Sequence, residues 1–358
     1  MKLREENTGG KRSRRFLIWS ALAVTLMLSF LVRAGHARGA GKVLTIKKQY
    51  IEALEISNDS ELEKVTVVYG EALKKISIEN CENFNSLIVS KNMSLEEISI
   101  KNCSHLKSIM IKDNVVLERF RMEGSQEINE LVIKNNDMLE SVLPDKEIHP
   151  EKLQVMENER LKTLENVDLS KVKELKMTEV PRLKFKGKDF PRLEYLKYDN
   201  SFSGQIDFRS AKRLRKLEVQ KDKKKKVLDI AKFPKLESLS WKEGVLEKVR
   251  FGKKGKLRKI DLRNNRLSGN WNMDGFKKLH TLNLSHNRLT SLDMGKLKQE
   301  ICIYCADNRL KVFRAWNYSQ VPELHFQKNP GLRAYLAFDE ECCLWIFDKS
   351  AKMFYRYS

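Results

Sequence analysis

Breakers are scarce: seven Pro and 16 Gly in 358 residues are too few for a collagen-like or linker-rich chain. With 41% apolar and 33% charged residues, most of the chain can bury surface and fold. Signatures of catalysis are missing as well. The sequence has no HExxH, no GxxxxGK[ST] and no GxSxG, and its histidines are scattered at His36, His105, His149, His280, His286 and His325. The many Asp and Glu lie at solvated positions between apolar ones, a repeat surface rather than an acid/base pair, so the chain reads as a non-enzyme with no cofactor and no metal.

Long apolar runs are absent with one exception. Phe16 to Val32, FLIWSALAVTLMLSFLV, follows Lys11, Arg12, Arg14 and Arg15, the layout of an export signal. Seventeen residues exceed the usual signal core and just reach the length of a spanning helix. Residues 1–37 are therefore expected to be either a signal peptide cut near Ala34 or Ala37, or an N-terminal anchor whose partner is the membrane. No Cys follows the run, which argues against a lipoprotein, and Ser13-Arg14-Arg15-Phe16-Leu17 lacks the residue a twin-arginine signal places after Arg15.

A repeat fills the rest. Apolar residues return every eleven positions at Ile51, Leu62, Leu73, Phe84, Leu95, Leu106, Leu117, Ile128 and Leu139. Three residues after each stands a second series, from Leu54 and Val65 to Val142, and two further on a third, from Ile56 and Val67 to Ile133. The unit LxxLxL ends in an alternation rich in Ile and Val, which predicts a strand with one face buried. Asn or Cys often follows, as in Ile78-Glu79-Asn80-Cys81 and Ile100-Lys101-Asn102-Cys103. Leu257 to Leu267 and Leu279 to Leu289 read LxxLxLxxNxL, with Asn265 and Asn287 continued by Asn308 and Asn329.

These motifs resemble the leucine-rich-repeat family over about residues 51–335, in a bacterial-type subclass with nested eleven-residue half-repeats. The resemblance implies a mainly β solenoid with a parallel sheet on its concave face, short extended segments on the other side, little helix, and Asn side chains satisfying the turn backbone. Thirteen strand starts are expected on the concave face, from Leu62 to Val321. Spacing is irregular around 180–251, where a bend or inserted loop is expected. Residues 38–50 would begin the stack. Residues 336–358 would close it with a β-hairpin, because CLWIFDKSAKMFYRYS places two β-prone runs around Asp348 to Lys352.

The six Cys read mostly as structure. Cys305 falls on an apolar position and Cys302 on an outward one, so this CxxC puts its thiols on opposite faces. Cys81 and Cys103 stack one turn apart, either as ladder residues or as a disulfide, and Cys342 or Cys343 beside the cap could pair with Cys302.

Charge is concentrated. The net +21 includes +14 from residues 209–260, where twenty Lys and Arg face six Asp and Glu. This basic patch contains Lys212, Arg213, Arg215, Lys216, Lys223, Lys224, Lys225, Lys226, Lys253 and Lys254. It is expected to draw anionic surfaces or polymers, or else simply to solubilise. Nucleic acid is a poor partner for an exported chain without aromatics interleaved in the patch.

In the resembling family, ligands contact outward residues of the concave strands. That implies Lys259, Asp261, Arg263, Thr281, Asn283, Ser285, Tyr304, His325 and Gln327 as binding residues. The expected function is an exported scaffold, secreted or anchored, recognising a protein or glycan at or beyond the cell surface. The alternative is a structural envelope protein held to anionic polymer by the basic patch.

Overall fold

A computed structural model describes residues 42–357 apart from 126, 185, 189, 202–204, 253, 297, 317–319, 333, 339–343 and 349–352. For 186–188, 205–206, 316, 334–338, 344–348 and 353–357 it describes the backbone alone. The apolar run Phe16 to Val32, Lys253, Cys342 and Cys343 lie outside the described residues.

The chain winds as a two-sided coil of parallel strands. Fourteen strands form one continuous parallel sheet, from Lys42–Lys47 and Leu62–Val68 through Ser86–Ser90, Lys152–Met156, Glu174–Thr178, Tyr195–Asp199, Lys216–Gln220 and Ser238–Lys242 to Glu323–His325. Each of the thirteen expected starts leads into one of these strands, and Lys42–Lys47 is the first of the described strands. Register advances one coil at a time: Lys64 pairs with Ser86, Lys152 with Glu174, and Glu174 with Tyr195.

Alternation decides which side chains go in. In Glu97–Lys101 and Lys152–Met156 the apolar second and fourth residues are buried, and the same holds along the stack, from Val65 and Val67 to Ile109 and Ile111 and on to Leu282 and Leu284. All nine residues of the first eleven-residue series are buried. They form a single core with their neighbours, including Trp241, Phe84, Phe120, Phe190 and Phe313. Glu300 breaks the apolar series and is exposed, while the next residue, Ile301, is buried.

Tight turns at the strand ends need left-handed backbone. Asn58, Asn80, Asn102 and Asn135 take it at φ 55°, 54°, 50° and 52°, since a short amide tolerates this region. Asn80 Nδ2 donates to Asn58 Oδ1 at 3.1 Å and Asn102 Nδ2 to Asn80 Oδ1 at 2.9 Å, so these turns also stack. Gly124 continues them at φ 72°, where a Cβ would lie 2.9 Å from Asn102 Oδ1.

An inner ladder holds the turns after the long sheet. Asn92, Asn114, Asn136 and Asn158 are fully buried. Each of the last three accepts, on its Oδ1, the backbone N–H of the Asn one coil earlier, at 3.1, 3.2 and 3.0 Å. Asn265, Asn287, Asn308 and Asn329 do the same for Leu246, Leu267, Leu289 and Leu310. Between the two runs the positions are Val180, Ser201, Asp222 and Gly244, and the amide is missing. On the opposite turns Cys81, Cys103 and Ser125 are the buried residues. Both thiols are free and donate to the carbonyls of Glu79 (3.4 Å) and Lys101 (3.3 Å), and burial pushes Cys103 up to about 11.

The second side is less regular. Six parallel strands run from Ala53–Ser57 to Thr163–Leu164. Two isolated pairs follow, Lys186–Lys188 with Gln205–Asp207 and Val227–Asp229 with Lys248–Arg250. A last sheet takes Ser268–Asn272, Arg288–Lys296, Val312–Trp316 and Ala334–Phe338, to which Leu344–Asp348 and Met353–Tyr357 add in antiparallel fashion. Among the described residues helix amounts to 3-10 turn at Lys254–Lys256 and at Gln320, and no helix is long and apolar enough to cross a membrane.

Candidate binding face of the long sheet

Side chains that alternate away from the core form rows across the long sheet, because parallel strands in register place equivalent residues about 4.8 Å apart. Along the four strands Lys259–Asp261, Thr281–Asn283, Cys302–Tyr304 and Glu323–His325, one row is Lys259, Thr281, Cys302 and Glu323. The next is Asp261, Asn283, Tyr304 and His325. Arg263, Ser285 and Gln327 lie two residues further along, past the strand ends. All nine candidate residues thus fall on one side of four adjacent coils.

They are not equally accessible. Asp261 and Ser285 are buried, Asp261 with Arg263 Nε 3.8 Å away, and Asn283 Oδ1 accepts the Ser285 N–H at 3.0 Å. Lys259 and Gln327 are exposed, and Arg263, Thr281, Asn283, Tyr304 and His325 are half-buried. The accessible face is narrower than the set of nine.

The best-organised part of it is an aromatic pair. The Tyr304 and His325 rings stack with centroids 5.1 Å apart at 16°. Glu323 joins them: the Tyr304 hydroxyl donates to Oε2 at 2.6 Å, and His325 Nε2 lies 2.7 Å from Oε1. These hydrogen bonds, Tyr304 first and His325 second, hold the Glu323 carboxyl below its usual range. The same bond pushes the Tyr304 phenol up to about 12. A carboxylate, two stacked rings and the Gln327 amide, 3.5 Å from His325 Nδ1, make a platform of mixed polarity. Such a surface can stack and hydrogen-bond at small entropic cost.

Glu323 and Cys302 were missing from the sequence-derived set. Both stand in the same outward row as Lys259 and Thr281, so the 21- and 22-residue spacing already pointed to them. Cys305, by contrast, is wholly buried and Cys302 half-buried, as their alternation required.

Elsewhere the face is closed by its own charges. Lys152 pairs with Glu130 at 2.5 Å, Lys176 with Glu174 and Lys216 with Glu218 at 2.7 Å, and Lys176 and Lys216 flank the Tyr195 ring.

The basic patch does not form one cluster. Lys212, Arg213 and Arg215 precede the strand Lys216–Gln220, Lys216 lies on its outward face, and Lys223, Lys224, Lys225 and Lys226 follow it. Five residues of strand, roughly 17 Å, separate the two edges. Arg215 is neutralised by Glu237 at 2.8 Å and Lys226 faces Glu247 at 3.4 Å. Lys254, in the 3-10 turn, donates to Asp274 O at 2.8 Å. Sequence proximity had merged groups that the coil sends to opposite edges.

No family model and no curated protein matches the chain. Solved structures to which it is similar include the functional domain of InlJ from Listeria monocytogenes, which includes a cysteine ladder, at 16% identity over 80% of this chain and 68% of that one, TM-score 0.37. Another is the plant peptide hormone receptor RGFR1 in complex with RGF2, at 12% identity over 83% and 73%, TM-score 0.26. A third is the LRIM1/APL1C complex, at 13% identity over 82% and 43%, TM-score 0.21. The chain's own LxxLxLxxNxL motifs, one strand per coil on a continuous parallel sheet and the buried Asn ladder make it a leucine-rich-repeat solenoid.

Proposed function

We propose that this protein is a binding scaffold that recognises a protein or glycan through the outward face of strands Lys259–Asp261 to Glu323–His325. The observation that carries this reading is the Tyr304–His325 stack fixed by Glu323. Aromatic side chains with pre-set geometry lose little freedom on binding and concentrate interface energy. The basic residues and apolar run at the N-terminus support display outside the cytoplasmic membrane, secreted or anchored.

Capture from extracellular and envelope fractions with the full chain, read by mass spectrometry, identifies the partner. Tyr304→Ala combined with His325→Ala should then weaken its binding roughly tenfold or more, as at a central interface residue. Unchanged binding by that variant would move the site elsewhere. Recovery of the chain only from cytoplasm, with residues 1–37 intact, would sink the export reading.

Attachment to an anionic envelope polymer is the second reading. It is favoured by Lys223, Lys224 and Lys225, none of which has a carboxylate within ion-pair distance among the described residues. Polymer binding through these charges must fall steeply with salt. Retention at high salt, or after Lys223→Gln and Lys224→Gln, would count against it.

A further inference from the structure

Over the same coils as the ladder gap, pairing on the second side is interrupted. Gln205–Asp207 pairs backward with Lys186–Lys188, and Val227–Asp229 forward with Lys248–Arg250, so these two successive strands are not paired with each other. A cleft of about 560 Å³ opens where the pairing is lost, lined by Tyr198, Phe208, Phe233, Lys224, Lys225 and Lys232 among others. That volume falls within the usual small-molecule range of about 300–1,000 Å³.

Its walls are unequal in what they leave unmet. Phe208 and Phe233 have ring centroids 5.6 Å apart at 31°, and Tyr198 lies 6.1 Å from Phe208. The carboxylates in the wall are already engaged: Asp207 by Arg209 at 2.5–2.9 Å, Asp199 by Glu179 N and Ser201, Asp222 by Lys224 N and Lys225 N, and Asp229 by Ala231 N. The donors are not. Lys224, Lys225 and Lys232 are exposed, with no carboxylate at ion-pair distance among the described residues, and Lys225 Nζ sits 5.6 Å over the Phe208 ring. No described residue hydrogen-bonds the Tyr198 hydroxyl, and burial, with Asp222 nearby, raises its pKa.

We infer that the cleft binds a small organic anion with an aromatic or apolar body. The anionic group is held by Lys224, Lys225 and Lys232, the body lies against Phe208 and Phe233, and the Tyr198 hydroxyl donates to the ligand. Asp207 is paired with Arg209, and Asp199, Asp222 and Asp229 accept backbone N–H groups, whereas the three ammonium groups have no ion-pair partner among the described residues and are the groups left to meet a ligand's charge. This site is separate from the long-sheet face and stands or falls without it.

Fluorescence titration of the full chain with 8-anilinonaphthalene-1-sulfonate, beside its neutral analogue N-phenyl-1-naphthylamine, tests the inference. One saturable sulfonate site is expected, with weaker binding of the neutral analogue. Lys225→Gln with Lys232→Gln should weaken the sulfonate roughly five- to tenfold, about two exposed ion pairs. Lys171→Gln with Lys184→Gln, exposed lysines elsewhere, should not. Val227→Trp at the exposed mouth should block the cleft, and circular dichroism melts verify that each variant is folded. Equal binding of the two probes, or sulfonate binding unchanged in folded Lys225→Gln/Lys232→Gln and Val227→Trp chains, overturns it.

Discussion

Asp207 shows how far one neighbour can set a side chain's chemistry. Arg209 donates to both of its oxygens, Nε at 2.8 and 2.9 Å and Nη2 at 2.5 Å, and holds its carboxyl down to about 2. The group is depressed in the folded chain, so its contribution to stability is complete above the usual value of 3.8 and is lost as pH falls through about 2. Carboxyl NMR titration should find its midpoint near 2, rising toward the usual value in Arg209→Gln; an unchanged midpoint would rule out this pair as the cause. Backbone strain gives a second residue-scale prediction. Lys221 is exposed and sits at φ 58°, where a Cβ costs about 1–2 kcal/mol, more than the roughly 0.5–1 kcal/mol that glycine loses in chain entropy. Lys221→Gly should therefore raise unfolding stability by about 0.5–1 kcal/mol in urea titration. Destabilisation there would mean that the Lys221 side chain contributes more than the strain costs.

At the scale of the element, the turn ladder does what the strands cannot do for themselves. Asn308 donates to Leu284 O and Cys305 O at 2.9 and 3.1 Å and accepts the Leu289 N–H at 3.0 Å, bonding three backbone groups on two successive coils. Asn308→Ala removes all three bonds and leaves the Leu289 N–H without its partner, while Asn287 and Asn329 still donate to Leu284 O and Cys305 O at 3.0 and 3.1 Å, so it should cost about 2–3 kcal/mol. Ser125→Ala, which removes a single 2.9 Å bond to Cys103 O, should cost about 1 kcal/mol. Equal losses in denaturant titrations would show that the amide's multiple bonds are not the source of its value. Strand and turn were readable in the sequence because each needs only its own residues: Val65 and Val67 alternate, and Asn265 to Asn329 recur. The earlier ladder, Asn92 to Asn158, was equally legible at 22-residue spacing but is hidden by Asn80 and Asn102, which mark the opposite turn and serve backbone conformation instead.

Over the whole molecule, a solenoid's stability is the sum of its coils and their neighbours, so a local lapse in pairing need not break the stack. The long sheet runs unbroken through residues 174–261, while the second side is reduced there to two isolated pairs. Amide hydrogen exchange should therefore be faster in Gln205–Asp207 and Val227–Asp229 than in Lys216–Gln220, which lies between them in sequence but in the long sheet. Uniform protection across the three would contradict this division of stability. The irregular spacing around 180–251 predicts a bend or inserted loop, and it carries no sign of a lapse in pairing on the second side of the coil.

The two-sided coil, its inward columns and the opposite faces of Cys302 and Cys305 follow from the sequence alone, because burial every eleven residues and strand alternation are local properties that each segment repeats. The platform and the cleft do not follow in this way. Glu323 reaches Tyr304 and His325, the basic run divides between two edges, and two successive strands fail to pair beside Phe208, only when residues about a coil apart are stacked. That stacking depends on how neighbouring coils fit, and no single repeat encodes it.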